Sequence, residues 1–285
     1  MLSQNLKQRL IFGFLGSACL FLLIFLADNP FFRPLFVLAL SGVVGVSAWE
    51  YYQMAKTKGL QPLQSLGIFF SVLYVWGVFL STQFKSSHLL PEIIIGMAFI
   101  SFFLFQFYKT SSPFLSIPVT LFGMIYLAIP LSCALLITYF PFTPMEDGRI
   151  WLLYGLLVSR STDTGAYFVG KIKGHRRLAP VISPKKTWEG AYGGMITALL
   201  ISLLFYFCAL LFLTPAHISL TFWESLCLGL AIPVFGQIGD LAESLLKRDT
   251  GIKDSNQLPG FGGMLDIVDS LVFTLPLLYI FLKMR

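Results

Sequence analysis

Charge is scarce in this sequence. Of its 285 residues, 12% are Asp, Glu, Lys or Arg, against 56% hydrophobic and 16% aromatic, and the mean hydropathy is +0.78. A water-soluble domain carries about 25% charged residues, so that class is excluded. Cysteine is scarce too: Cys19, Cys133, Cys208 and Cys227 all fall in apolar stretches, and no spacing suggests a disulfide framework or a zinc site. Histidine is rarer still, at three residues, His88, His175 and His217. No Cys/His or Ser/His/Asp arrangement can be assembled from them, so covalent nucleophilic catalysis finds little support. Internal repeats and low-complexity tracts are absent.

Long apolar runs are what the chain has in abundance. Roughly 18 or more apolar residues suffice to span a bilayer as a helix. Nine such spans are expected, at 10–27, 34–54, 63–83, 90–108, 116–139, 150–169, 190–213, 222–246 and 264–282. The expected fold class is an all-α polytopic integral membrane protein. The first run is read as a retained span and not a signal peptide. It ends Leu26-Ala27-Asp28-Asn29-Pro30, without a small-residue cleavage site. With nine spans, the N-terminus and the loops after spans 2, 4, 6 and 8 share one side and hold fourteen of the twenty Lys and Arg residues. The positive-inside rule makes that side the cytoplasm, although Lys283 and Arg285 at the C-terminus lean mildly the other way. The net charge of +6 is therefore mostly topology, with attraction to anionic membrane lipids added. Nucleic acid is not an expected partner.

Acidic residues divide the chain. Residues 1–148 hold five spans, short loops and five acids, and read as an N-terminal transmembrane scaffold. Residues 149–285 hold four spans, two longer polar loops and nine acids, and read as the catalytic region. Glu50, in Ala48-Trp49-Glu50-Tyr51-Tyr52, is the exception in the first half. Its aromatic neighbours suit a membrane interface, and an interfacial glutamate is the simpler reading.

Three polar constellations lie in the second half. Arg160 and Asp163 fall inside a hydrophobic run, three residues apart. They form either a plain ion pair on one helix face or, since charge inside a membrane is seldom kept for stability, part of a site. The loop from Gly170 to Gly190 packs six cations and ends in Ser183-Pro184-Lys185-Lys186-Thr187 at the start of span 7. Helix N–H groups, the helix dipole and two lysines make a natural phosphate seat. The alternative is that these cations only set topology. Last, six carboxylates gather between Asp240 and Asp269. Asp240, Glu243, Ser244 and Lys247 share one helix face, Asp266 and Asp269 another, and the turn Pro259–Gly263 can bring the two helix ends together. Solvated helix ends would look similar, but oxygen ligands from two facing helices suit magnesium, with water and substrate phosphates completing the shell. Asp240, Asp266 and Asp269 are the expected ligands, supported by Glu243.

These stretches resemble the phosphatidate cytidylyltransferase (CDP-diacylglycerol synthase) family. The likeness covers about residues 150–285. It rests on Gly239-Asp240-x-x-Glu243-Ser244-x-x-Lys247-Arg248, then Gly251-Ile252-Lys253-Asp254, Pro259-Gly260-x-Gly262-Gly263 and Asp266-x-x-Asp269, in that order. Asp163-x-Gly165-Ala166-Tyr167-Phe168 and Ser183-Pro184-x-Lys186-Thr187-x-Glu189-Gly190 precede them. The resemblance implies a nucleotidyltransferase of phospholipid biosynthesis, in which the phosphate of phosphatidic acid attacks the α-phosphorus of CTP to give CDP-diacylglycerol and pyrophosphate. It also implies dependence on Mg2+, with a second cation as an open alternative, a homodimer, and a multi-pass place in the bacterial inner membrane with the site facing the cytoplasm. The implied catalytic residues are Asp240, Asp266, Asp269 and Lys247. Asp163, Arg160, Ser183, Lys185, Lys186, Thr187, Glu189, Ser244, Arg248, Lys253 and Asp254 are the implied substrate-binding residues.

Two positions depart from the family pattern. Phe261 stands where many members have His, and Ile267 where many have Arg; the turn before Pro259 is also one residue short. Arg160 is expected to supply the charge missing at Ile267, the alternative being the simple pair with Asp163. Two other functions remain open, a related lipid kinase or transferase using the same phosphate site, and a transporter with Glu50, Arg160 and Asp163 on a polar path.

Overall fold

Inside a bilayer each segment must satisfy its own backbone N–H and C=O groups, and the apolar runs accordingly fold as helices. The computed structural model describes residues 21–84, 87–108, 112–139, 146–213, 217–251 and 263–285. Its helices are α1 (Arg33–Thr57), α2 (Gln64–Gln83), α3 (Leu90–Phe107), α4 (Pro113–Tyr139), α5 (Gly148–Lys173), α6 (Trp188–Phe212), α7 (Phe222–Asp249), α8 (Met264–Val268) and α9 (Leu271–Met284). Among the described residues, seven stretches are long and apolar enough to cross a membrane: α1 to α4, α6, α7 and Met264–Met284. The protein is an all-α polytopic membrane protein. The expected first span falls largely outside the described residues, of which 21–26 are helical. The expected sixth is α5, a 26-residue helix whose charges keep it out of the apolar set. The expected last span is broken at Asp269 and Ser270, between α8 and α9.

The cationic loop is more ordered than a loop. Strands β1 (Arg177–Ala179) and β2 (Ser183–Thr187) pair antiparallel, with Arg177 opposite Thr187 and Ala179 opposite Ser183. Thr187 then caps α6, its hydroxyl accepting the Gly190 N–H at 3.1 Å. The ribbon therefore runs straight into a helix and carries Lys185 and Lys186 on an ordered backbone.

The chain forms two compact units, Met1–Leu135 with Asp249–Val268, and Leu136–Arg248 with Asp269–Arg285. In the first, α1 ends in a Schellman turn. Gly59, at φ +82°, donates to Lys56 O, and Leu60 donates to Ala55 O, satisfying two carbonyls the helix end leaves open. Tyr52 Oη donates to Thr120 O at 2.8 Å, and Thr120 Oγ1 accepts the Leu63 N–H at 2.8 Å, tying α1 and the start of α2 to α4.

In the second unit α5 and α6 pack backbone to backbone. A Cβ at Gly193 would lie 2.4 Å from Val169, so only glycine permits the approach, as at other close helix crossings in membranes. Tyr154, Ser202 and the Ser225 carbonyl form a buried hydrogen-bonded chain through α5, α6 and α7, at 2.7 and 2.6 Å. Where α9 ends, Arg285 pairs with Glu146 at 3.0 Å and Glu224 at 2.7 Å and lies 5.2 Å from the Trp151 ring. Two carboxylates thus face Arg285, one of the two C-terminal cations that ran against the topology rule.

Candidate active site

The polar site of the second unit is assembled from one ribbon strand, two helices and the break before α9. Lys186 on β2 reaches α7, where its Nζ lies 2.6 Å from an Asp240 carboxylate oxygen. Asp269 is 7% exposed and lies within electrostatic reach of Asp240, Asp163 and Lys186. Asp163 on α5 feels Arg160, Asp240 and Lys186. Arg160 sits one turn earlier, 3.6 Å from the Asp163 carboxylate. Three acids and two cations from four parts of the chain therefore share one neighbourhood.

Close backbone packing makes that neighbourhood possible. Gly239 stands against the Asp269 carbonyl, where a Cβ would come within 2.3 Å of the oxygen. The glycine of the Gly239-Asp240 pair thus lets α7 approach Asp269. On the other side, Arg248 Nε donates to Ile182 O at 2.9 Å, fastening the ribbon turn to α7.

Several expected site residues have internal partners. Glu243 is 1% exposed and pairs with Lys247 at 2.7 Å along α7. Glu189 accepts the backbone N–H groups of His175 and Arg176 at 3.1 to 3.3 Å, closing the turn between α5 and β1. The Thr187 hydroxyl is the α6 cap. One N–H in the first turn of α6, that of Gly190, is thus bonded within the chain. Ser183 and Ser244 are half-buried, and Lys185 is exposed. Lys253, Asp254 and Phe261 lie outside the described residues.

Asp266 lies on α8 in the first unit, half-buried, with Ile267 beside it. The start of α8 is held by a residue that the sequence reading left at the interface. Glu50 is 2% exposed and accepts the Met264 and Leu265 N–H groups at 2.9 and 2.7 Å. Its burial is tertiary, and the aromatic neighbours that suggested an interface gave no signal of it.

Among the described residues, no three His, Cys, Asp or Glu side chains converge closely enough to hold a metal ion by themselves. The donor set nevertheless fits Mg2+, which prefers carboxylate oxygens, uses one or two of them, and leaves the remaining positions to water and phosphate. Asp240, Asp163 and Asp269 supply such oxygens as an open set.

Residues 7–285 match the cytidylyltransferase family. The chain belongs to that family. A phosphatidate cytidylyltransferase of Haemophilus influenzae is 35% identical over 95% of this chain and 96% of its own. Those of Chlamydia pneumoniae and Bacillus subtilis are 33% and 32% identical, each over 98% of this chain and over 92% and 98% of their own lengths. The chain is a nucleotidyltransferase. In this cytidylyltransferase-family chain, Gly239 packs against Asp269, Asp240 pairs with Lys186, and Thr187 and Glu189 bond to backbone around the ribbon.

Proposed function

We propose that the protein transfers the cytidylyl group of CTP to phosphatidic acid, releasing pyrophosphate and forming CDP-diacylglycerol. The observation that carries this reading is the Lys186–Asp240 contact in the shared neighbourhood of Asp163 and Asp269, the acids and base that two substrate phosphates and a cation require. A phosphate oxygen of the lipid attacks the α-phosphorus of CTP in line. The bond from that phosphorus to the bridging oxygen breaks, and the electron pair leaves with pyrophosphate. The attacking oxygen is already anionic, so no side chain has to remove a proton, in keeping with the scarcity of histidine. Catalysis then rests on positioning and charge.

Asp240 and Asp269 would hold the cation in this reading, with Asp163 beside them and Asp266, three residues before Asp269 in sequence, as a further ligand. A magnesium ion held there would supply positive charge to the substrate phosphates during the transfer. Lys186 grips substrate phosphate, aided by Lys185 and Arg160, while Glu243 and Lys247 pair with each other along α7. The site faces the cytoplasm, where CTP is found, since the Lys- and Arg-rich loops carry it.

The test is direct. Purified protein in detergent, given labelled CTP, phosphatidic acid and Mg2+, is expected to yield a labelled lipid and stoichiometric pyrophosphate. A labelled lipid that carries phosphate without cytidine would replace this reading with a lipid kinase, and no lipid label would refute both.

A further inference from the structure

Glu50 lies outside the stretches of residues 150–285 that carry the resemblance, and its geometry is specific. Its two carboxylate oxygens each accept one backbone N–H, Oε1 from Met264 at 2.9 Å and Oε2 from Leu265 at 2.7 Å. Those residues open α8, and the residue before them is Gly263, which has no side chain to cap with. A carboxylate from α1 therefore does what a local cap does elsewhere, and charge-assisted bonds of this kind are roughly twice as strong as neutral ones. The carboxylate is itself held in place. Next to it, Tyr51 and Tyr52 donate to the Val119 and Thr120 carbonyls on α4, at 3.4 and 2.8 Å. The Tyr52 ring fills the space over Gly67 on α2, where a Cβ would lie 2.3 Å from Oη. Helix α1 is thus keyed to two neighbours at the residues that follow Glu50.

We propose that Glu50 is a positioning residue for Asp266. It determines where α8 begins, and hence the register of Asp266, two residues after Met264. The carboxylate matters chemically, because in this geometry each N–H meets its own oxygen, Met264 at Oε1 and Leu265 at Oε2. A glutamine offers one oxygen and turns its own N–H2 group toward the second donor. The proposal rests on the reading of Asp266 as a ligand of the catalytic cation.

The experiment uses the full chain in detergent with CTP, phosphatidic acid and a Mg2+ titration. In Glu50→Gln, amide exchange at Met264 and Leu265 is expected to quicken, with kcat falling roughly 10- to 100-fold, the scale for a group that orients a metal ligand. The Mg2+ needed for half-maximal rate is expected to rise, while KM for CTP and for phosphatidic acid stays within about twofold. Glu50→Asp, which keeps both oxygens, recovers part of the loss. Met264→Pro deletes one donor at a first helical position that tolerates proline, and shifts the Mg2+ dependence the same way; it carries the test if Glu50→Gln does not fold. Unchanged exchange at Met264 and Leu265, or faster exchange with unchanged kcat and Mg2+ dependence, overturns the proposal. Asp266→Asn separates the two readings. If it loses rate while Glu50→Gln does not, positioning by Glu50 fails and the ligand reading stands. If Asp266→Asn keeps full rate, the ligand reading fails and takes this proposal with it.

Discussion

Lys186 Nζ lies 2.6 Å from a carboxylate oxygen of Asp240, so a ribbon cation and a helix acid meet within reach of Asp163 and Asp269. Asp240→Asn keeps the size of the side chain and removes its charge. Its kcat is expected to fall at least about 10²-fold, the scale for losing one electrostatic stabiliser of a transition state. Lys186→Ala is expected to raise KM for CTP or for phosphatidic acid while the protein stays folded. Steady-state kinetics on detergent-purified protein, with thermal melts alongside, check both. If Lys186→Ala leaves rate and both KM values unchanged, the lysine serves only topology.

Gly239→Ala tests the packing beneath the site. The added methyl meets the Asp269 carbonyl at 2.3 Å, and backbone cannot yield as a flexible side chain does. Overpacking of this kind costs about 1–3 kcal/mol. Activity is expected to drop by more than stability, because the displacement falls on Asp269 itself. Near-normal kcat in a folded Gly239→Ala variant would show that the approach of α7 to Asp269 is not needed.

The Glu243–Lys247 pair separates a structural from a catalytic lysine. Lys247→Met leaves a buried carboxylate without this partner, and breaking such a pair costs about 3–5 kcal/mol. The double variant Glu243→Gln with Lys247→Met removes both charges and is expected to recover most of the melting temperature. Activity recovered with it assigns Lys247 to the fold. Activity still lost in the folded double variant assigns it to catalysis.

Arg285 and Glu146 make a prediction about acid. Burial alone would raise the Glu146 carboxyl, but hydrogen bonds from Ser219 and Trp151 and the Arg285 charge outweigh it and hold the group below the ordinary glutamate range. A depressed carboxylate contributes stability that is fully present above its unfolded value, about pH 4.3, and is lost as the pH falls through the folded value. Arg285→Ala is therefore expected to lower the melting temperature at neutral pH and to flatten its decline below about pH 4. Melts of both proteins from neutral pH into acid would check this, and parallel curves would remove Glu146 from the acid response.

Hydropathy and residue type are properties of short windows, and whatever depends on them could be read along the chain. The helical membrane class was legible in this way, and so was the gathering of charged residues that includes Asp163, Lys186, Asp240 and Asp269. The partnerships were not, because a side chain's nearest neighbour is chosen by packing between distant segments. Glu243 shares a helix face with Asp240 and an ion pair with Lys247. Thr187, expected at a phosphate, caps α6, and Glu189, expected at the substrate, accepts the His175 and Arg176 N–H groups. The cationic loop carries no strong strand pattern, and its pairing becomes visible only once β2 runs into α6 and Arg248 holds the turn. Glu50 is the extreme case. Nothing within reach along the chain marks it, since the N–H groups it satisfies belong to Met264 and Leu265, and only folding brings that backbone to a buried carboxylate.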